Sequence, residues 1–66
     1  MNPSQQTKQI KALVSRMQET IPTVHTDRYG VTTIDPVYHR QATVERLTGA
    51  GYVISGGAGR TLEVAR

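Results

Sequence analysis

A chain of 66 residues with 36% hydrophobic side chains is long enough for one small domain, which we expect to span residues 1–66. It has no cysteine and no apolar run near the ~18 residues of a membrane span, which excludes a disulfide framework, a zinc–cysteine site and a transmembrane protein. Eight Lys and Arg against five Asp and Glu leave a net charge of +3, which is compatible with an anionic partner such as nucleic acid.

The N-terminal segment predicts an amphipathic helix from Ser4 to about Thr20. Ser4 is a suitable N-cap, and Pro22 ends the helix because the residue before a proline avoids the α region. Lys8 and Lys11 fall on the polar side of this helix. Its apolar stripe has the spacing of one helix face and consists of Ile10, Leu13, Val14, Met17 and Ile21.

The next segment has the composition of β-strands. Thr23–Thr26 and Val31–Ile34 are rich in β-branched residues, and Asp27–Gly30 between them carries turn residues. This pattern predicts a β-hairpin over residues 23–34. A short irregular helix or turn through Gly30 is the alternative interpretation.

A second helix is predicted from Asp35-Pro36 to about Thr48. Aspartate is a favoured N-cap, proline is pre-organised for the first helical position, and Gly49 or Gly51 would end the helix. Its apolar side carries Val37, Val44 and Leu47. At about 100° per residue, the opposite and exposed side carries His39, Ala42, Thr43 and Arg46. Arg40 falls among the apolar positions, and we expect its stem to reach the edge of the core.

The C-terminal segment predicts a second hairpin. Its strands are Tyr52–Ser55 and Arg60–Ala65, and glycine-rich residues 56–59 form a mobile tip between them. This tip is not a nucleotide-binding P-loop, because it lacks the lysine and the following helix that such a loop requires. The sequence therefore predicts a small α+β domain with the order helix, hairpin, helix, hairpin.

The C-terminal half also resembles a known family. Residues 41–55 combine a helix with a Gly51-Tyr52-Val53 break, and a glycine-rich tip with a basic residue follows. This pattern resembles the recognition helix and wing of winged helix-turn-helix DNA-binding domains, over less than half of the chain. The resemblance implies a winged-helix-like C-terminal half whose helix presents three side chains to the major groove: His39, Thr43 and Arg46. It also implies that Arg60 lies at the wing tip, against phosphates or the minor groove.

Catalytic and metal-binding chemistry find little support in the residue pattern. His25 and His39 stand on different predicted elements with no cysteine near them, and no serine has the surroundings of a nucleophile elbow. We therefore expect no enzyme activity, no metal and no cofactor. Tyr29, beside a turn glycine, is the most exposed candidate for stacking on a base, whereas Tyr52 is expected in the core or in a dimer interface.

The leading hypothesis is a small basic protein that binds DNA and regulates transcription. The predicted DNA contacts are Lys8, Lys11, His39, Thr43, Arg46 and Arg60. The alternative is a protein-interaction module or inhibitor that uses a sheet edge or a helix face and binds no nucleic acid. A small core without Phe or Trp favours a homodimer, and the absence of an apolar leader at the N-terminus favours the cytoplasm.

Overall fold

The computed structural model describes residues 2–66, so the first position of the expected domain lies outside the described residues. It consists of two helices and four short strands, and the predicted α+β class and element order are confirmed. The elements are α1 (Pro3–Val14), β1 (Thr23–Thr26), β2 (Thr32–Asp35), α2 (Arg40–Gly49), β3 (Val53–Gly56) and β4 (Leu62–Ala65), with a 3₁₀ turn at Ser15–Met17 after α1. Neither helix has the length and apolar content needed to cross a bilayer.

The four strands form one antiparallel sheet in the order β1-β2-β4-β3. The hairpin predicted over residues 23–34 is confirmed, and the alternative of a short helix there is wrong. The two hairpins join through β2 and β4, where Ile34 pairs with Leu62. On the β3 edge a register shift between Ile54 and Gly56 interrupts the pairing. In the strand order given above, β1 and β3 are the edges of the sheet.

Both helices cover the same face of the sheet and run antiparallel to each other. α1 packs mainly on β1, and α2 packs on β3. The buried core between the layers consists of Ile10, Val14, Ile34, Val37, Leu47, Tyr52, Leu62 and Val64. The predicted core position of Tyr52 is confirmed, since its side chain is only 6% exposed.

The N-cap of α1 lies two residues before the predicted one. The N-cap is Asn2 rather than Ser4, because the Asn2 Oδ1 atom accepts a hydrogen bond from the Gln5 backbone N–H at 2.9 Å. Pro3 then occupies the first turn, where its missing N–H costs nothing. The cap is therefore set by the amide side chain that precedes the proline.

The C-terminal end of α1 falls short of the predicted Thr20. The helix tightens into the 3₁₀ turn after Val14, and Gln18 is already extended. Ile21, which the apolar stripe included, is consequently 80% exposed. The stripe ends where the helix ends, and the segment that follows turns back towards β1.

The start of α2 is also different. Asp35 is the last residue of β2, its peptide bond to Pro36 is cis, and α2 begins at Arg40 after a left-handed residue, His39, with φ of 54°. Val37 therefore precedes the helix instead of defining its apolar side. Without Val37, the buried face of α2 is set by the remaining apolar positions and includes Thr43. The prediction that Thr43 is exposed is therefore wrong, since its side chain is fully buried.

A buried polar network joins α1 to the first hairpin. The Gln6 side-chain amide donates to the Gly30 carbonyl at 2.6 Å and to the Thr32 hydroxyl at 3.0 Å. The Thr32 and Thr26 hydroxyls are 2.6 Å apart, and Thr7 donates to Thr26 at 2.7 Å. Because buried polar groups are costly unless they are hydrogen-bonded, this network fixes the N-terminal half of α1 against the β1–β2 turn.

Gly57 provides a test of the hairpin geometry. Its φ is 104°, and a Cβ atom there would lie 2.4 Å from the Thr61 carbonyl oxygen. We expect Gly57→Ala to lower the free energy of unfolding by more than about 1 kcal/mol, measured by urea denaturation followed by circular dichroism. The matched control is Gly49→Ala, because Gly49 is helical with open space around it; we expect that change to be neutral or to stabilise by up to about 1 kcal/mol. Equal effects of the two changes would contradict the described loop.

Candidate functional site

The outward side of α1 carries a row of basic side chains. Lys8, Lys11 and Arg16 are exposed and line one continuous surface with Ala12 and Ser15. Lys8 and Lys11 lie three positions apart and are therefore neighbours on the helical surface, and Arg16 joins them from the 3₁₀ turn. The predicted position of the two lysines on the polar side of the helix is confirmed.

A fourth basic residue reaches this surface from α2. The Arg46 Nε–H donates to the Leu13 carbonyl at 2.6 Å, in the last turn of α1. Arg46 therefore lines a groove with Ala12, Arg16 and Met17, next to the row of lysines. We call the surface formed by Lys8, Lys11, Arg16 and Arg46 the α1 basic face.

Negative charge is kept away from the α1 basic face. Within residues 2–66, none of the five carboxylate side chains lines it. Glu19 pairs with His39, Asp27 accepts backbone N–H groups of the β1–β2 turn, and Asp35 accepts from the Thr61 hydroxyl. The other two carboxylates, Glu45 and Glu63, lie beside the start of α2 and on the open side of β4. The local charge of the face is therefore more positive than the net charge of +3 implies.

The residues at the N-terminal end of α2 form a different cluster. The His39 Nε2 and Glu19 Oε2 atoms are 2.7 Å apart, and both side chains are exposed. Beside them, the Gln18 amide accepts from the Tyr38 backbone N–H at 2.5 Å and donates to the Thr43 hydroxyl at 2.8 Å. His39 thus faces the segment after α1, and Thr43 serves the packing between the helices.

The glycine-rich loop between β3 and β4 closes onto this end of α2. The Arg40 guanidinium donates to three of its carbonyls: Gly57 at 3.2 Å, Gly59 at 3.2 Å and Thr61 at 3.0 Å. Arg60 lies over the Tyr38 ring, 4.5 Å from its centroid. The half-buried Arg40 therefore joins the loop to α2 by satisfying carbonyls that have no strand partner.

The structure brings together only part of the predicted DNA-contact set. Lys8, Lys11 and Arg46 share the α1 basic face, whereas Arg60 and His39 lie near the N-terminal end of α2. The sequence reasoning missed Arg16, although its helical spacing from Lys8 would have placed it on the same side. No part of the fold within residues 2–66 is specific to a winged helix, because a hairpin precedes α2 where such domains place a helix.

Residues 2–66 bring no group of three His, Asp or Glu side chains together as potential metal ligands. His25 is exposed on β1, as expected for a residue on an edge strand. The α1 basic face brings four basic side chains together, and such side chains can donate hydrogen bonds to an anion.

The Arg40 contacts give a prediction about the glycine-rich loop. A lysine at position 40 has no planar fork with which to reach three carbonyls, so Arg40→Lys should lower the free energy of unfolding by about 1–2 kcal/mol. Arg60→Lys is the matched control; it changes an exposed cation–π contact and should cost less than about 1 kcal/mol. Urea denaturation of both variants checks the ranking, and an Arg60→Lys loss as large as that of Arg40→Lys would refute it.

Similarity to known proteins does not identify a ligand for this surface. No protein-family model matches the chain, and no curated protein or solved structure is significantly similar to it. The function of the α1 basic face must therefore be inferred from its geometry and charge.

Proposed function

We propose that this protein binds DNA through the phosphate backbone, using the α1 basic face. The observation that carries the proposal is the convergence of four exposed basic side chains from two helices on one surface that no carboxylate of residues 2–66 lines. Attraction between such a surface and the phosphates supplies most of the affinity of non-specific DNA binding. The fold leaves this face uncovered, because both helices use their other sides to cover the sheet.

The dimensions of the face suit a nucleic-acid backbone. From Lys8 to Val14 the axis of α1 advances about 9 Å, at about 1.5 Å per residue, and Arg16 lies beyond this in the 3₁₀ turn. Duplex DNA carries one negative charge per about 1.7 Å of its axis, so several phosphates lie within this length. Arg46 is held in place through its Nε, which leaves its two Nη groups available to donate to phosphate oxygens.

The proposed binding mode is independent of base sequence. α2 offers few groups for reading bases, because Thr43 is buried, His39 pairs with Glu19, and Glu45 on its outer side would repel phosphates. Contacts to phosphates position a protein on DNA but carry no sequence information directly. We therefore infer general DNA binding, with Lys8, Lys11, Arg16 and Arg46 as the contact residues.

The protein-interaction alternative has less support from the exposed surface. Among residues 2–66, the large exposed hydrophobic residues are Ile21, Tyr29 and Val53. They lie before β1, in the β1–β2 turn and on β3, so they do not form one patch. Contiguous apolar patches mark protein-binding surfaces, whereas single exposed hydrophobic residues are ordinary.

The salt dependence of DNA binding tests the proposal. With four phosphate contacts, the logarithm of the affinity for a random-sequence duplex should fall with the logarithm of salt concentration with a slope of about −3.6. Lys11→Gln and Arg16→Gln should each weaken binding and reduce the slope by about 1, measured by fluorescence anisotropy.

Arg60→Gln is the control for this experiment, because Arg60 is an exposed arginine next to Tyr38 and outside the α1 basic face. It should leave the slope unchanged. Absence of duplex binding at low salt, or an equal loss of slope in all three variants, would contradict binding through this face.

A further inference from the structure

The β1–β2 turn presents an aromatic ring to solvent. Tyr29 is 77% exposed, whereas Tyr38 is half-buried and Tyr52 is 6% exposed. Of the three tyrosines in the chain, Tyr29 is thus the one whose ring is accessible to a flat ligand. Exposure of a single hydrophobic residue is ordinary, so the significance of Tyr29 depends on the groups that surround its ring.

The backbone that carries Tyr29 is held in one conformation. The Asp27 carboxylate accepts hydrogen bonds from the N–H groups of Tyr29 at 2.8 Å and Val31 at 3.1 Å. The Asp27 backbone closes the turn, donating to the Val31 carbonyl at 2.9 Å and accepting from Gly30 at 3.2 Å. Tyr29 is therefore exposed on a pre-organised turn, which lowers the entropic cost of binding through its ring.

A guanidinium group accompanies the ring. The Arg28 Cζ atom lies 5.1 Å from the Tyr29 ring centroid, and its Nη2 donates to the Tyr29 hydroxyl at 3.0 Å. The pair combines a flat aromatic surface with a positive charge. Single-stranded nucleic acids are bound by this combination of stacking on aromatic rings and attraction of the backbone.

The turn and the α1 basic face flank the same end of α1. Gln6 on α1 donates to the Gly30 carbonyl at 2.6 Å, so the residue after Tyr29 contacts the first turns of the helix. Gln6 is buried against the sheet, and Lys8, two residues later, lies about 200° round the helix on its outward side. A nucleic-acid strand that contacts both Lys8 and Tyr29 therefore has to cross the first turns of α1.

We propose that Tyr29 stacks on an unpaired base of a DNA strand that runs from the α1 basic face across the first turns of α1, with Arg28 adding a cation next to that base. This inference rests on the proposed DNA binding and specifies single-stranded DNA as the preferred ligand. Bases within a duplex are already stacked on each other, so a ring on a rigid turn gains a partner only where the strand is single. The protein should therefore prefer single-stranded DNA, or a duplex with a single-stranded extension, to a blunt duplex.

The test compares affinities for a thymidine oligonucleotide and for a blunt duplex of equal length. Tyr29→Ala should weaken binding of the single strand by about 5- to 150-fold, which corresponds to the loss of one stacked base. Its effect on the blunt duplex should be less than about twofold, and Tyr29→Phe should retain most of the single-strand affinity because the ring remains. Ile21→Ala is the matched control, since Ile21 is 80% exposed and precedes β1.

A spectroscopic measurement gives a second readout. The chain has no tryptophan, so tyrosine emission can be recorded directly, and stacking of Tyr29 on a base should quench it. Quenching by the oligonucleotide should be lost in Tyr29→Ala and kept in Ile21→Ala. Equal losses of affinity for single strand and duplex in Tyr29→Ala, or quenching that persists in it, would overturn the inference.

The double variant Lys11→Gln/Arg16→Gln separates failure of this inference from failure of the proposed function. If the double variant loses salt-dependent binding while Tyr29→Ala binds like the wild type, DNA binding stands and the stacking inference is wrong. If neither variant alters binding, or the wild type binds neither oligonucleotide, both are wrong.

Discussion

The packing of two short helices on one face of a four-stranded sheet is the constraint on which the rest of this structure depends. Eight hydrophobic side chains form the core, and none of them is Phe or Trp. A domain of this size buries only about 60% of its unfolded surface, so these few core side chains must hold the helix layer on the sheet. Polar side chains complete the packing: Gln6 joins α1 to the β1–β2 turn, Gln18 joins the segment after α1 to α2, and Arg40 holds the glycine-rich loop.

This packing leaves different surfaces of the two helices exposed. α1 buries one narrow side and leaves a broad outward side that carries Lys8 and Lys11, and Arg16 follows in the 3₁₀ turn. α2 is shorter, and its first turn is engaged with Gln18 and the β3–β4 loop, so it contributes a single arginine to the basic face. The proposed DNA-binding surface therefore lies mainly on the helix with the simpler packing role.

Local sequence signals predicted the elements but not how they meet. The apolar spacing of α1 and the β-branched runs around Asp27–Gly30 were sufficient to predict the first helix and the first hairpin. Each of these signals is contained in a short stretch of consecutive residues. Strand order depends on the pairing of Ile34 with Leu62, which no local pattern encodes. At the site, the lysines followed from helical spacing alone, whereas the position of Arg46 depends on a tertiary contact with Leu13. Thr43 was misplaced because Asp35-Pro36 has the local signature of a helix start but forms the end of a strand and a cis peptide bond.

The strand order has a consequence for how the chain folds. β4 comes last along the chain but lies between β2 and β3, so the two hairpins share no sheet until it is in place. An isolated two-stranded hairpin is marginally stable at best in water, and neither helix has a complete surface to pack on before the sheet is whole. The two hairpins therefore stabilise each other, and we expect the fold to form in a single cooperative event that requires β2 to pair with β4.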